Sequence, residues 1–385
     1  MHCKKSAWIA AFSPRTSTLL TALFCLATAS SAIAQEHAIS PEKKAAVETA
    51  VAKYMAAKSI PGISVAVVEN GELDWSAGFG MSDLENFVPA TSHTLYRLAS
   101  ISKPITATAA MLLWQNGKLD LDAPVQKYCP AFPTKDAPIT TRQVLGHLAG
   151  IRHYKAGSQD DPEFGNTRHF ADPIAAGLQF FKDEPLLFAP GTTFHYSTQG
   201  FTVAGCVIEG ASGKKYVDYV RENVLEPAGM VQTRVDDRFA IIPSRTRFYQ
   251  TDPSGAIANA DFLDSSYKIP GGGWLSSADD MARFEVAMLK NRIVQQKTRD
   301  LMWTPLKTGN GKKTDYALGW GTGDELGVRD VGHAGGQQGT STFFEIVPER
   351  QAGVVVLMNL DGGDASALAT ELIRIVLGIP SAPAK

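Results

Sequence analysis

Ser100 and Lys103 sit in the run Arg97-Leu98-Ala99-Ser100-Ile101-Ser102-Lys103-Pro104, a hydroxyl and an amine three residues apart at the head of an apolar stretch. On a helix such residues share a face, with Cβ atoms roughly 5–6 Å apart. A serine hydroxyl is a weak nucleophile until a base takes its proton. A lysine held close and partly desolvated can give up its own proton and serve as that base. The pair therefore reads as an acylable serine with a lysine partner, in the S-x-x-K spacing.

Spacing alone does not choose the site, because Ser40/Lys43, Ser212/Lys215 and Ser265/Lys268 match it too. Ser40 precedes Pro41 and a charged, polar helical segment. Ser212 lies in the polar turn Ala211-Ser212-Gly213-Lys214-Lys215. Ser265 comes just before Pro270 and three glycines, where helix is not expected. Only Ser100 heads a long helical pattern, which runs through the Ala, Ile, Thr, Met and Leu of Ile105 to Trp114 and stops at Asn116-Gly117. A helix apolar all round is buried. Its N-terminus offers unpaired N–H groups and a positive dipole end to an oxyanion.

Such a site needs a further proton-transfer group and an oxyanion hole. Tyr196, in Thr193-Phe194-His195-Tyr196-Ser197-Thr198 after the Pro190-Gly191 turn, is the candidate phenol for relaying the serine proton to a leaving group. For the strand that should flank the nucleophile there are two candidates, Lys307-Thr308-Gly309 and His333-Ala334-Gly335-Gly336. Lys307 stands in a polar, loop-like stretch. His333 is followed by two β-rich runs and a terminal helix, and is preferred.

The elements that must position these groups are legible in outline. Residues 41–58 read as a helix with Ala45, Val47, Val51, Tyr54 and Met55 as apolar positions. Gly62 to Glu69, Asn70-Gly71, then Leu73 to Phe79 reads as a β-hairpin. Thr340 to Val347 and Gly353 to Leu360 are β-rich, and the last helix spans about Ala365 to Leu377. Residues from about 120 to 265 are rich in helices and loops. The fold class is therefore α+β: one antiparallel sheet built from both ends of the chain (about 35–115 and 270–385), flanked by terminal helices, with a mainly helical region (about 116–269) inserted. The site is expected where the two regions meet. The loops at about 152–187 and 234–268 are expected to shape the pocket.

Residues 1–34 read as a secretory signal, with Lys4, Lys5 and Arg15 in a basic head, an apolar core from Leu19 to Ala29, and Ala32-Ile33-Ala34 before Gln35. The expected mature chain, 35–385, is a single periplasmic or secreted domain with no run long enough to span a membrane. Removing three cations from 37 leaves 34 basic against 39 acidic side chains, which argues against a nucleic-acid partner. Cys129 and Cys206 are the two remaining cysteines. Cys206 lies in an apolar helical run and reads as a core thiol. No C-x-x-C, H-E-x-x-H or G-x-S-x-G occurs in the sequence. Neither metal nor organic cofactor is called for, and an α/β-hydrolase elbow is missing.

Taken together, these blocks resemble the serine β-lactamase and penicillin-binding-protein-like hydrolases of the class C type. The resemblance runs from about Ile60 to Ile375. It rests on Ser100-Ile101-Ser102-Lys103, Tyr196-Ser197-Thr198 and His333-Ala334-Gly335. Supporting stretches are Leu145-Gly146-His147-Leu148-Ala149-Gly150-Ile151, Gly271-Gly272-Gly273-Trp274 and Tyr316-Ala317-Leu318-Gly319-Trp320-Gly321. Thr140-Thr141-Arg142 and Gly150-Ile151-Arg152-His153-Tyr154 are closest to the mitochondrial serine β-lactamase-like proteins and their bacterial relatives, which are regarded as serine proteases. The resemblance implies Ser100, Lys103 and Tyr196 as catalytic residues. It also implies an oxyanion hole from the N–H groups of Ser100 and Gly336, with Gly335, His333 and Thr198 lining the substrate site. Two departures bear on substrate. Thr198 replaces the amide of the usual Tyr-x-Asn, and His333 replaces the ammonium of the usual Lys-Thr-Gly. Both leave acyl-enzyme chemistry in place and weaken the match to β-lactam hydrolysis. The expected activity is that of a peptidase, amidase or esterase on a peptide or small-molecule substrate. A true β-lactamase, a D,D-peptidase on cell-wall peptides and a non-catalytic penicillin-binding-like module are the alternatives.

Overall fold

The computed structural model describes residues 39–155, 163–324 and 326–380. The leader read over residues 1–34 lies outside the described residues. Helix α1 (Pro41–Lys58) begins where Ser40 caps it, the Lys43 backbone N–H donating to the serine Oγ, with Pro41 in the first turn. Capping is thus what the Ser40/Lys43 pair does, while the Lys43 ammonium is paired with Glu69. Strands β1 (Gly62–Glu69) and β2 (Glu72–Asp83) form the expected hairpin, with Asn70 and Gly71 both left-handed at φ 53° and 71°.

The chain then adds β3 (Val88–Pro89) and crosses the helical region. It returns as β4 (Gly321–Gly323), β5 (Asp330–Gln337), β6 (Thr340–Val347) and β7 (Ala352–Met358). The seven strands lie in the order β3-β2-β1-β7-β6-β5-β4, antiparallel throughout. Pairing of β1 with β7, Val65 opposite Val356, joins the two ends of the chain into one sheet. Both strands read as unbroken apolar runs because both faces are covered. Val65, Val67, Val354 and Val356 pack under α1 and the last helix, and Ala66, Val68, Val355 and Phe344 face the core shared with the helical region.

Helix α2 (Ser102–Gln115) runs through that core and is buried along one unbroken stretch from Ser102 to Met111. Packed against it is α3 (Thr198–Ser212), capped by Ser197. Helix α4 (Ala278–Leu289) covers the inner face of the sheet, and α5 (Ala365–Leu377) closes the outer face beside α1.

Two expectations are corrected. Cys206 is not a core thiol: it forms a disulfide with Cys129, 77 residues earlier, across a Cα–Cα distance of 5.3 Å. An apolar helical run marks burial but says nothing of what lies opposite, and here the loop after Val125–Lys127 brings Cys129 against α3. The stretch around Ser265 is also helical, as a 3-10 turn (Ser266–Lys268) followed by one α-turn (Ile269–Gly272). Pro270 is tolerated in that first turn, where its missing N–H has no helical acceptor to lose. Tertiary packing on α2 and α3 supplies what the glycines lack in propensity.

Candidate active site

Ser100 sits in a 3-10 turn (Ala99–Ile101) that leads directly into α2. The turn is braced on one side by Leu98, whose N–H donates to the Trp274 carbonyl at 2.9 Å. Ala99 adopts a left-handed φ of 47°, a conformation a non-glycine residue holds only where its surroundings impose it. On the other side runs β5. A Cβ on Gly335 would lie 2.2 Å from the Leu98 carbonyl and 2.3 Å from Thr342 Oγ1, so only glycine lets the strand approach the nucleophile turn this closely. One residue on, Gly336 has no neighbour within 4 Å of such a Cβ and is exposed. Strand β4 pairs with β5 only as far as Gly332, which leaves the edge of β5 from His333 onward unpaired by β4.

Lys103 is fully buried. Its Nζ lies 2.9 Å from Ser100 Oγ, 3.1 Å from Thr198 Oγ1 and 2.8 Å from the Gly271 carbonyl. Burial drives the Lys103 pKa well below that of a free lysine, and the positive charge of Lys268 lowers it further. A neutral amine has two N–H donors and one lone pair. It can donate to Gly271 O and Thr198 Oγ1 and accept the Ser100 hydroxyl proton, so the three neighbours match the three capacities of a base.

Tyr196 approaches Ser100 as well: its phenol is hydrogen-bonded to the serine side chain, and Lys103 Nζ lies 4.8 Å from its ring centroid. Burial raises the Tyr196 pKa above its ordinary value, so the phenol keeps its proton at neutral pH. Two histidines hold the wall behind it. His147 Nδ1 accepts from the Ser197 N–H at 3.1 Å, with its ring 4.3 Å from that of Tyr196. His153 Nδ1 accepts from the Thr198 N–H at 3.2 Å, its ring edge-on to Tyr196 at 5.5 Å. Burial depresses both imidazoles, His147 far below its ordinary value and His153 to about 4, so both are neutral acceptors.

His333, also buried, has its pKa lowered to about 3, first by burial and then by Lys103. A carbonyl can only accept, so Nδ1, 2.6 Å from Ala334 O, carries the proton, and Nε2 accepts from the Tyr316 hydroxyl at 2.8 Å. Both ring nitrogens are engaged within the protein. Tyr316 in turn packs tilted against His147 at 4.7 Å and lies edge-on to Tyr196 at 6.4 Å, and the His333 ring itself lies 6.2 Å from that of Tyr196. Lys307 is exposed, its backbone paired with that of Lys313 in an isolated β-bridge, as its polar surroundings suggest.

The structure thus brings Ser100, Lys103, Tyr196 and Thr198 into direct contact, with Gly335 and Gly336 on the flanking strand. Of the other S-x-x-K pairs, Ser212 ends α3 and Lys215 is exposed, paired with Asp172 at 2.9 Å. Ser265 and Lys268 are joined by their backbones, the Lys268 N–H donating to the Ser265 carbonyl at 3.0 Å, while among the described residues no hydrogen bond joins their side chains and Lys268 is buried. Sequence reasoning did not single out His147, His153, Tyr316 or Lys268 as site groups. The only signal was that His147, His153 and Tyr316 stand inside blocks already noted for their resemblance.

The profile of the Beta-lactamase family matches residues 47–377. Human serine beta-lactamase-like protein LACTB, mitochondrial, is 31% identical over 75% of this chain and 69% of its own length. Penicillin-binding protein 4* of Bacillus subtilis is 27% identical over 77% of this chain and 67% of its own. Among solved structures, the octameric penicillin-binding protein homologue of Pyrococcus abyssi is 27% identical with a TM-score of 0.75, covering 87% of this chain and 77% of that one. D-amino acid amidase from Ochrobactrum anthropi shares the fold at 22% identity, with a TM-score of 0.72 over 87% and 98%. With the family profile spanning most of the chain and a fold to match, this protein belongs to the β-lactamase-like serine hydrolase family.

Proposed function

We propose that the protein is an acyl-transfer hydrolase in which Ser100 attacks a carbonyl, Lys103 takes its proton, and Tyr196 passes a proton to the leaving group. Water then releases the acyl group. The observation that carries this reading is Ser100 Oγ held between the amine of Lys103 and the phenol of Tyr196. The pKa directions suit the roles: the amine is neutral and able to accept, and the phenol is protonated and able to donate. The N–H groups of Ser100 and of Gly336, on the open edge of β5, are the proposed oxyanion donors. Losing one such donor lowers turnover by roughly 10²–10³.

The substrate reading favours amides or esters over β-lactams. His333 is neutral and both its nitrogens are engaged, so it offers no ammonium to a β-lactam carboxylate. The Cys129–Cys206 disulfide supports an exported protein, as does the leader read in the sequence, because such bonds persist in oxidising compartments.

The test is labelling of the mature protein by a fluorophosphonate probe. It is followed by a panel of peptide p-nitroanilides, p-nitrophenyl esters and nitrocefin on wild type and Ser100→Ala. Covalent mass on the Ser100 peptide is expected, with turnover reduced by roughly 10³ or more in Ser100→Ala. Unchanged turnover in that variant would overturn the reading. Acylation without release would point instead to a binding module. Recovery of the protein in the cytosolic fraction with its N-terminus uncleaved would refute export.

A further inference from the structure

Lys268 is the one buried lysine besides Lys103 among the described residues, and the mechanism above does not use it. It stands at the end of the 3-10 turn Ser266–Lys268, three residues before Gly271, whose carbonyl accepts from Lys103. Among the described residues its ammonium makes no hydrogen bond and no ion pair. It is held instead against aromatic rings, Nζ lying 5.2 Å from the centroid of Tyr154, 5.6 Å from Tyr267 and 5.7 Å from Phe164. Cation–π contact offsets part of the desolvation of an ammonium but supplies no counter-charge.

Among the described residues the surroundings offer none either. Arg97, the cation nearest in influence, is bonded to Asp236 at 2.7 Å and to the carbonyls of Gln338 and Leu263. Glu163 is joined to Arg152 and Gln199. His147, His153 and His333 are neutral, and among the described residues no carboxylate contacts Lys103. The place is nevertheless part of the reacting site. Tyr154, which forms one wall of the Lys268 nest, packs tilted against His153 with ring centroids 4.3 Å apart, and His153 abuts Tyr196. The charge of Lys268 is felt at Lys103 and at His153. Phe164, on the other wall, is 40% exposed, so this wall of the nest reaches the surface.

We propose that Lys268, with Tyr154 and Phe164, forms a subsite for an anionic group of the substrate, most simply a carboxylate carried near the scissile carbonyl. This rests on the hydrolase reading above and adds to it a class of substrate: acyl groups bearing a negative charge. The positive charge that the family usually places on the flanking strand is missing from His333 and is supplied here from the helical side. An arriving carboxylate would give Lys268 the ion pair that the described residues do not supply. Because burial holds the free Lys268 pKa at about 7, binding of an anion should be accompanied by proton uptake at neutral pH.

The experiment compares p-nitroanilides that differ only in Glu or Gln as the acyl residue, each in L and D forms, on wild type, Lys268→Met and Lys268→Arg. Wild type is expected to prefer the Glu member of the better pair by about tenfold or more in kcat/KM. Lys268→Met should abolish that preference while retaining Gln hydrolysis, and Lys268→Arg should retain it in part. Any effect of Lys268 on the proton affinity of Lys103 acts on both substrates alike, so the Glu/Gln ratio isolates the contact. Should Lys268→Met fail to fold, the wild-type ratio and proton uptake on glutarate binding, measured in two buffers of different ionisation enthalpy, decide the matter. Equal rates on Glu and Gln in wild type would overturn the subsite while leaving the Ser100 mechanism intact. No hydrolysis of either, with no Ser100 labelling, would overturn the mechanism itself.

Discussion

Among the described residues Lys103 has no acidic partner, and that decides how it works. Its three neighbours are a hydroxyl, a second hydroxyl and a carbonyl, none of which stabilises an ammonium as a carboxylate would. Burial and the charge of Lys268 both push the proton off. The base must be unprotonated to act, so kcat/KM should rise as pH climbs through the depressed pKa of Lys103 and level off above it. That acid limb is expected well below the range of an ordinary lysine, near 10.4. Lys103→Met should lower kcat by roughly 10²–10⁴ and remove the limb, with circular dichroism unchanged. A pH profile of a neutral ester substrate checks both. A limb unchanged in Lys103→Met would assign the base elsewhere.

The elements bring these groups together by close approach rather than by long-range order. Strand β5 and the nucleophile turn touch at Gly335, where the facing atoms are the Leu98 carbonyl, Thr342 Oγ1 and the Ala99 methyl. An alanine there must push the strand away from Ser100 or displace the Leu98 carbonyl. Gly335→Ala is expected to destabilise by about 1–3 kcal/mol and to lower turnover on every substrate. Gly336→Ala, its neighbour facing open space, should leave the melting temperature within experimental error of wild type. Thermal denaturation of the pair measures this directly. Equal melting temperatures for both variants would show that the close approach carries no weight.

At the scale of the whole molecule, one tie joins the helical region to the sheet and another braces the helical region within itself. One is the continuous core in which Phe284, Trp303, Trp320 and Phe344 interlock. The other is the Cys129–Cys206 bond, which fastens the loop region after α2 to α3, the helix that presents Thr198 to Lys103. Closing a loop of 77 residues restricts the unfolded chain by about 4 kcal/mol in the chain-entropy account. Cys129→Ser with Cys206→Ser, or reduction of wild type, is therefore expected to lower stability by that order. Denaturant titration with and without reductant reads it out. Coincident curves would mean the bond is absent or without effect in solution.

What the residues alone determine is whatever repeats along the chain or follows from a local pattern. The apolar stretch that makes α2 a buried helix, the Asn70-Gly71 hairpin, and the β-rich runs and final helix after His333 are of this kind. They suffice to select Ser100 among four equal spacings, and His333 over a literal Lys-Thr-Gly at Lys307. The tertiary structure decides what no spacing encodes, namely which groups meet across the junction of sheet and helices. Cys206 carries no mark of Cys129, which lies 77 residues earlier in another element. His147 and His153 look like any buried histidines until they are seen accepting the N–H groups that fix Tyr196 and Thr198. Lys268 looks like a lysine in a glycine-rich turn until burial removes its water and brings its charge to bear on Lys103 and His153. The reason is physical: propensity and periodicity act over a few residues, whereas desolvation and charge act through whatever the fold places within a few ångströms.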